Sequence, residues 1–203
     1  LRIGKSDYFV TEACEYTNSF LSFFPKVSLI LNIDEDHLDF FKDLADIRNS
    51  FHRFAGLLPS DGTLIINVDI ENYSEITQDL SCQVITFGHS DVHDYYIEEI
   101  TYNESGYPTF RANTPYGKRT LQLQVPGEHN VLNAVAACAA AFAGFFADHG
   151  FYGCFGFHKC LSVGVERNKL NALNFAYYHV VNGISAASAN TYDFNLSNKI
   201  VFV

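Results

Sequence analysis

The sequence contains no methionine, and its 203 residues open on the run LRIGK. Such an opening resembles neither a signal peptide nor a transit peptide. We therefore expect a piece of a longer, cytoplasmic protein. The cysteines are odd in number and scattered, which argues against a disulfide framework and favours a reducing compartment. They are Cys14, Cys82, Cys138, Cys154 and Cys160.

Cationic side chains are scarce. Lys and Arg together number 13 against 23 Asp and Glu, which gives a formal net charge of −10. Such a chain is a poor electrostatic match for nucleic acid or for an anionic membrane surface, so neither is expected as a partner. A small anionic ligand remains open, because backbone amides, a metal ion or another domain can supply positive charge. The hydrophobic share of 48% is sufficient for a packed core.

Long hydrophobic runs are also missing, with one near exception at residues 131–147. This run is shorter than the ~20 residues that a membrane span needs. Asn133 interrupts it, and charged or polar residues flank it on both sides. We predict a buried helix.

The first half of the chain alternates between apolar runs and amphipathic segments. This alternation predicts a parallel sheet with right-handed helical crossovers. The predicted strands are 8–13, 27–33, 63–67 and 83–87, and the predicted helices are 43–58 and 71–77.

The pattern changes after Gly88, where three segments alternate apolar and polar residues between glycine-containing turns. They predict a small antiparallel sub-sheet at about residues 92–125. An alanine-rich helix from Asn130 then restores the α/β pattern. We assign residues 1–150 to one α/β domain with a mostly parallel sheet flanked by helices. Residues 151–203 receive no assignment except a strand at 199–203.

Polar side chains cluster after the first two predicted strands. Glu12 follows the first, where a carboxylate can hold Mg²⁺, although a solvated acidic loop would look the same. The second strand is followed by a denser group, for which we favour a ligand or cation site because a helix N-terminus explains only one or two of its acids. This group comprises Asn32, Asp34, Glu35, Asp36, His37 and Asp39.

The segment PGEHNVLNAVAA begins at Pro126 and contains Asn130, which can cap a helix, and Asn133 one turn later. An Asn side chain offers both a donor and an acceptor, which suits the edge of adenine. An ordinary N-cap followed by small packing residues explains the segment equally well. Both interpretations stay open on these residues alone.

A fourth group has metal-binding residue types but the wrong spacing. Its members, His149, Cys154, His158 and Cys160, match no common zinc site, so we interpret them as buried or incidental residues.

Five segments in this order resemble the central ATP-binding domain of the Mur ligases, from about residue 1 to about residue 167. They are TEACEY, LNIDEDHLDFF, LLPSDGTLIINVD, VITFG and VPGEHNVLNAVAA. The resemblance implies a fold like that of the P-loop NTPases. It also implies a cytoplasmic ligase of peptidoglycan precursor synthesis that activates UDP-N-acetylmuramate with ATP and Mg²⁺. The acyl phosphate so formed is attacked by the amino group of L-alanine.

Site residues follow from the resemblance motif by motif. Glu12 resembles a Mg²⁺ ligand and His37 resembles the ligand of a second Mg²⁺. Asn130 and Asn133 resemble the adenine-contacting residues, with His129 beside them. Arg167 resembles an arginine that meets the phosphates, so Glu12, His37 and Arg167 form the implied catalytic set.

The sequence departs from the family at both ends. The family's Gly-x-x-Gly-Lys-Thr phosphate loop is missing, as are its N-terminal nucleotide-sugar domain and its C-terminal amino-acid domain. From Asn168 onward the residues no longer resemble the family. We therefore expect a fragment that is inactive as a ligase by itself. Two alternatives stay open: a sibling ligase that takes a different substrate, such as murein tripeptide, and a non-catalytic remnant.

Overall fold

A computed structural model describes residues 9–149 and 200–202. This part of the chain contains eight strands and three helices. The strands are β1 Phe9–Thr11, β2 Val27–Ile30, β3 Thr63–Asn67, β4 Gln83–Gly88, β5 Tyr95–Tyr102, β6 Pro108–Thr114, β7 Gly117–Gln122 and β8 Ile200–Phe202. The helices are α1 Leu44–Ala55, α2 Ser74–Thr77 and α3 Glu128–His149.

All eight strands form one sheet in the order β1-β8-β2-β3-β4-β5-β6-β7. Neighbours from β1 to β5 pair in parallel, and β5 to β7 pair antiparallel. The predicted α/β class is confirmed. The antiparallel strands extend the parallel sheet at one edge, through β4 and β5, instead of forming a separate sheet.

Helices cover both faces of the parallel strands. β2 and β3 are buried along their whole length, which explains their continuous apolar sequences. On one face, α3 packs its small residues against the sheet, as predicted for the alanine-rich run; Ala134, Ala136 and Ala139 are fully buried there. On the other face, α1 and α2 cover Ile30, Leu64 and Ile66.

Helix α1 begins where the sequence predicts. Asp43 is the N-cap, and its side chain accepts a hydrogen bond of 2.9 Å from the backbone N–H of Asp46. The helix ends at Ala55, three residues before the predicted end at Leu58. Leu58 is nevertheless buried, because the turn that follows the helix packs against the same core.

One sequence expectation, that Asn130 caps its helix, needs correction, and the expected last strand is confirmed. Helix α3 begins at Glu128, so Asn130 lies inside the first turn and is not the cap; its side-chain amide donates to the carbonyl of Pro126 at 2.7 Å. The strand expected at 199–203 is present as β8, and it lies between β1 and β2. The strands that precede Glu12 and His37 are therefore not adjacent.

Some expectations concern residues outside the described ranges. They include Arg167, the divergent segment and most of the candidate zinc group. Within residues 9–149 and 200–202, no helix is long and apolar enough to cross a membrane.

Candidate functional site

The carboxyl ends of the parallel strands meet at one edge of the sheet. We call this the carboxyl edge; it comprises residues 12–16, 31–41, 67–70 and 88–89, together with the first turn of α3. In open α/β sheets, ligands bind at such an edge.

Three potential metal ligands converge on the carboxyl edge. Oxygen or nitrogen atoms of Glu15, Asp36 and His37 all lie within 4.8 Å of one another. The Nε2 atom of His37 is 3.4 Å from Glu15 Oε1, and its Nδ1 atom is 3.8 Å from Asp36 Oδ1. Two carboxylates and one imidazole from separate loops thus face a common point.

The backbone of His37 is held in an unusual conformation. Its φ angle of 54° lies in the left-handed region, which costs a non-glycine residue about 1 kcal/mol. Its carbonyl accepts from the N–H groups of Phe40 and Phe41 at 2.8 and 2.9 Å, and its own N–H donates to Asp36 Oδ1 at 2.7 Å. These contacts fix the imidazole beside the carboxylates, and strain of this kind is typical of functional loops.

Tyr16 supports His37 from the other side. The two ring centroids are 4.6 Å apart, and the Tyr16 hydroxyl donates to Asp39 Oδ2 at 2.7 Å. This hydrogen bond, helped by the carboxylate charge, raises the pKa of Tyr16. The ring therefore links the loop after β1 to the loop after β2.

The two predicted metal ligands, Glu12 and His37, lie in different surroundings. His37 belongs to the convergent group, whereas Glu12 is exposed directly after β1 and is not a member of it. Glu15, which sequence reasoning did not select, stands beside His37 instead. A short 3-10 segment, Tyr16–Ser22, follows with Thr17 and Asn18 in left-handed conformations, and no sequence pattern marked that turn.

The predicted adenine-contacting residues lie together in α3. Asn130 and Asn133 occupy its first two turns, and both are partly buried. Gly127 precedes the helix with a φ of +99°, and a Cβ atom there would come within 2.5 Å of the His129 ring. The His129 ring is able to move away, so it is the positive φ that favours glycine at this entry to the helix.

A second histidine cluster joins this helix to the strands. His89, directly after β4, lies 2.7 Å from Asp69 and 3.0 Å from Glu128, the first residue of α3. No local pattern in the sequence marks these three residues, because they are far apart along the chain and belong to no dense polar run. Arg167 lies outside the described residues, so its role stays a prediction.

Comparisons with known proteins identify the family. The family model described as Mur ligase middle domain matches residues 2–141 of this chain. This match covers more than half of the sequence, so the chain belongs to the Mur ligase family.

The most similar relatives bear one name. A UDP-N-acetylmuramate--L-alanine ligase from Lachnospira eligens is 55% identical over 141 residues, or 68% of this chain and 31% of the relative. One from Clostridium acetobutylicum is 39% identical over 90% of this chain and 38% of the relative. That match extends beyond residue 167, so the expectation that the resemblance ends there is wrong. The chain thus spans about a third of the length of these relatives.

Solved structures show the same architecture. MurF from Acinetobacter baumannii superposes with a TM-score of 0.56 and 29% identity, over 62% of this chain and 28% of that protein. The likeness supports the assignment of the sheet and its covering helices to the middle domain.

Proposed function

We propose that this chain provides the ATP-binding middle domain of a ligase that joins L-alanine to UDP-N-acetylmuramate in the cytoplasm. The convergence of Glu15, Asp36 and His37 at the carboxyl edge carries this proposal. The shared name of the relatives gives the substrates, since they are 39–55% identical to this chain.

The donor set fits a divalent cation. Carboxylate oxygens are the ligands that Mg²⁺ and Mn²⁺ prefer, and an imidazole nitrogen is a common ligand of other divalent cations. Glu15, Asp36 and His37 would hold the ion, and Glu12 is the further carboxylate implied by the family resemblance. When bound, Mg²⁺ neutralises charge on transferring phosphates.

The chain's own residues then orient the nucleotide and the cation. Asn130 and Asn133 present amide groups that suit the adenine edge, and His129 lies beside them. Tyr16 and the hydrogen-bonded loop after β2 fix the imidazole of His37. Phosphoryl transfer depends mainly on such positioning and on charge neutralisation, so this arrangement suits the formation of an acyl phosphate.

The test uses a chimera in which residues 2–141 replace the matching segment of the Lachnospira eligens relative. The assay measures phosphate release from ATP that depends on L-alanine, with UDP-N-acetylmuramate and Mg²⁺ present. We expect turnover, and we expect His37→Ala to reduce it by about 100-fold or more, the scale for losing one preorganised electrostatic contact.

His93→Ala is the matched control, because His93 is also a histidine after a strand but lies outside the carboxyl edge. A chimera that folds, binds Mg²⁺ and yet releases no phosphate would contradict the proposal and favour a non-catalytic remnant. Equal losses in both histidine variants would mean that the effect of His37 is not specific.

A further inference from the structure

A bridge of three ionisable side chains spans the carboxyl edge. The Nδ1 atom of His89 lies 2.7 Å from Asp69 Oδ2, and its Nε2 atom lies 3.0 Å from Glu128 Oε1. Asp69 follows β3, His89 follows β4 and Glu128 opens α3. The bridge thus connects two strand ends to the first turn of a helix.

The geometry fixes the protonation state of this bridge. Both carboxylates are acceptors, and a neutral imidazole carries only one N–H group. Only the imidazolium form donates to both partners at once. Desolvation is the largest single influence and lowers the pKa of His89, but the hydrogen bonds and charges of Asp69 and Glu128 together outweigh it and raise the pKa.

The strand side of the bridge is firmly anchored. Asn67, at the end of β3 and only 6% exposed, donates to the carbonyl of Leu31 at 3.0 Å and accepts from the N–H of Asp69 at 2.9 Å. A Cβ atom on Gly88 would lie 2.8 Å from Val68 Cγ2, so the two strand ends are in close contact. Since the strand ends are already fixed, the bridge acts by restraining the first turn of α3.

We propose that His89 is a positioning residue that clamps the first turn of α3 to the ends of β3 and β4. Asn130 lies two residues after Glu128, and Asn133 one turn further, so the clamp sets where both amides stand on the carboxyl edge. Its consequence for nucleotide affinity rests on the function proposed above, whereas the clamp itself does not.

The clamp depends on pH because all three of its members, His89, Asp69 and Glu128, are ionisable. His89 faces Asp69 from the β3 side and Glu128 from α3, and His129 is the neighbouring ionisable residue on that helix. Because the folded pKa of His89 is raised, its contribution is fully present below the ordinary histidine pKa of 6.5 and is lost as pH rises through the folded value.

The first experiment uses the 203-residue chain and records the pKa of His89 by NMR, together with amide hydrogen exchange at residues 132–134. These amides close the first helical turn onto residues 128–130. Exchange at residues 139–140, deeper in the same helix, is the internal reference for global stability. We expect the pKa of His89 to exceed the ordinary histidine value of 6.5, and exchange at 132–134 to quicken as His89 loses its proton.

Variants separate the clamp from general destabilisation. His89→Gln is expected to speed exchange at 132–134 by about two- to fivefold relative to 139–140, the scale of exposed ion pairs. Glu128→Gln is expected to lower the pKa of His89, and His93→Gln to leave exchange unchanged. Unaltered relative exchange in His89→Gln, or a His89 pKa at or below the ordinary value of 6.5, would overturn the clamp.

The second readout is MgADP binding, followed through the side-chain amide signals of Asn130 and Asn133. We expect His89→Gln to weaken binding by about two- to fivefold at pH 6, with a smaller difference at pH 8.5. An absence of binding in the unsubstituted chain would count against the proposed function, while the exchange data would still decide the clamp. Equal affinities at both pH values in both proteins would overturn the link between the clamp and the nucleotide.

Discussion

The parallel and antiparallel parts of the sheet place their charged residues differently. β2 and β3 carry no ionisable side chain, and the acids of that region follow the strands at the carboxyl edge. In the antiparallel part the charges lie on the strands and pair across them. Arg111 of β6 contacts Glu99 at 2.8 Å, and Lys118 of β7 contacts Glu98 at 3.1 Å.

Burial accounts for the difference. A parallel strand covered by helices on both faces has no position for an unpaired charge, so its polar residues fall in the loops. The antiparallel strands have one face against α3 and one face in solvent, where opposite charges on neighbouring strands stabilise the pairing. Charges that pair with one another in this way stabilise the fold and are not available to a ligand. At the carboxyl edge, the carboxylates of Glu15 and Asp36 instead face His37, which leaves them suited to a ligand.

The largest expected difference between the two parts of the sheet is the cost of truncating a core side chain. Ile65 in β3 is fully buried, whereas Ile100 in β5 is partly exposed. We expect Ile65→Ala to lower the free energy of unfolding by about 2–5 kcal/mol, because a cavity forms between two packed layers. Ile100→Ala should cost only about 1 kcal/mol. Urea unfolding of both variants checks this, and equal costs would contradict the contrast between the two parts.

The close contact between strand ends gives the next largest effect. A Cβ atom at residue 88 would lie 2.8 Å from Val68 Cγ2 and 3.2 Å from Asp69 Oδ1. We expect Gly88→Ala to destabilise the fold by about 1–3 kcal/mol through overpacking.

Gly56→Ala is the matched control, because a Cβ atom there meets its nearest neighbours at 3.4 Å, an ordinary contact distance. That variant should be stabilised by about 0.4–1 kcal/mol, since alanine restricts the unfolded chain. Thermal denaturation of both variants measures the two changes in melting temperature, which are expected to have opposite signs. Changes in the same direction would refute the steric explanation.

Capping of α1 is expected to give a smaller effect. Asp43→Ala removes the acceptor for the N–H of Asp46 and should cost about 1 kcal/mol in unfolding free energy. Asp43→Asn keeps a side-chain acceptor and should retain most of the stability. Chemical denaturation compares the two, and an equal loss in both would show that the negative charge matters more than the hydrogen bond.

The smallest effect concerns the charges on the antiparallel strands. The hydrogen bond from Lys118 is the largest influence on the pKa of Glu98 and lowers it, and the charges of Lys118 and Arg111 lower it further. A depressed carboxyl pKa gives stability that is present above the ordinary value and is lost as pH falls through the folded value. Lys118→Gln should raise the pKa of Glu98 toward normal, measured by carboxyl-carbon NMR. Lys42→Gln, at an exposed lysine elsewhere, should leave it unchanged.

The sequence predicted what periodicity and local chemistry determine. Apolar runs gave the parallel strands, alternation gave β5 to β7, and the amphipathic spacing of apolar residues gave α1. His37 was found because it stands in a dense polar segment directly after a buried strand. Each of these features depends on residues that are close together along the chain.

The remaining features depend on contacts that no local pattern contains. Glu15 lies beside His37 just before a turn in which Thr17 and Asn18 are left-handed, and since neither is a glycine, nothing in the sequence signalled that turn. The bridge through His89 unites residues from three separate elements. The insertion of β8 between β1 and β2 depends on pairing across most of the chain.

That insertion has a consequence for the order of folding. Within the described strands, β1 is hydrogen-bonded to β8 and to no other, at the register Val10 to Val201. Pairings between residues so far apart in sequence are slow to form, because the entropy cost of closing a long loop comes before any stabilising contact is made. During synthesis, β2 to β7 are able to associate well before residue 202 leaves the ribosome. The loop that carries Glu15 therefore gains its strand anchor last, and the metal-binding geometry is expected to mature after the core.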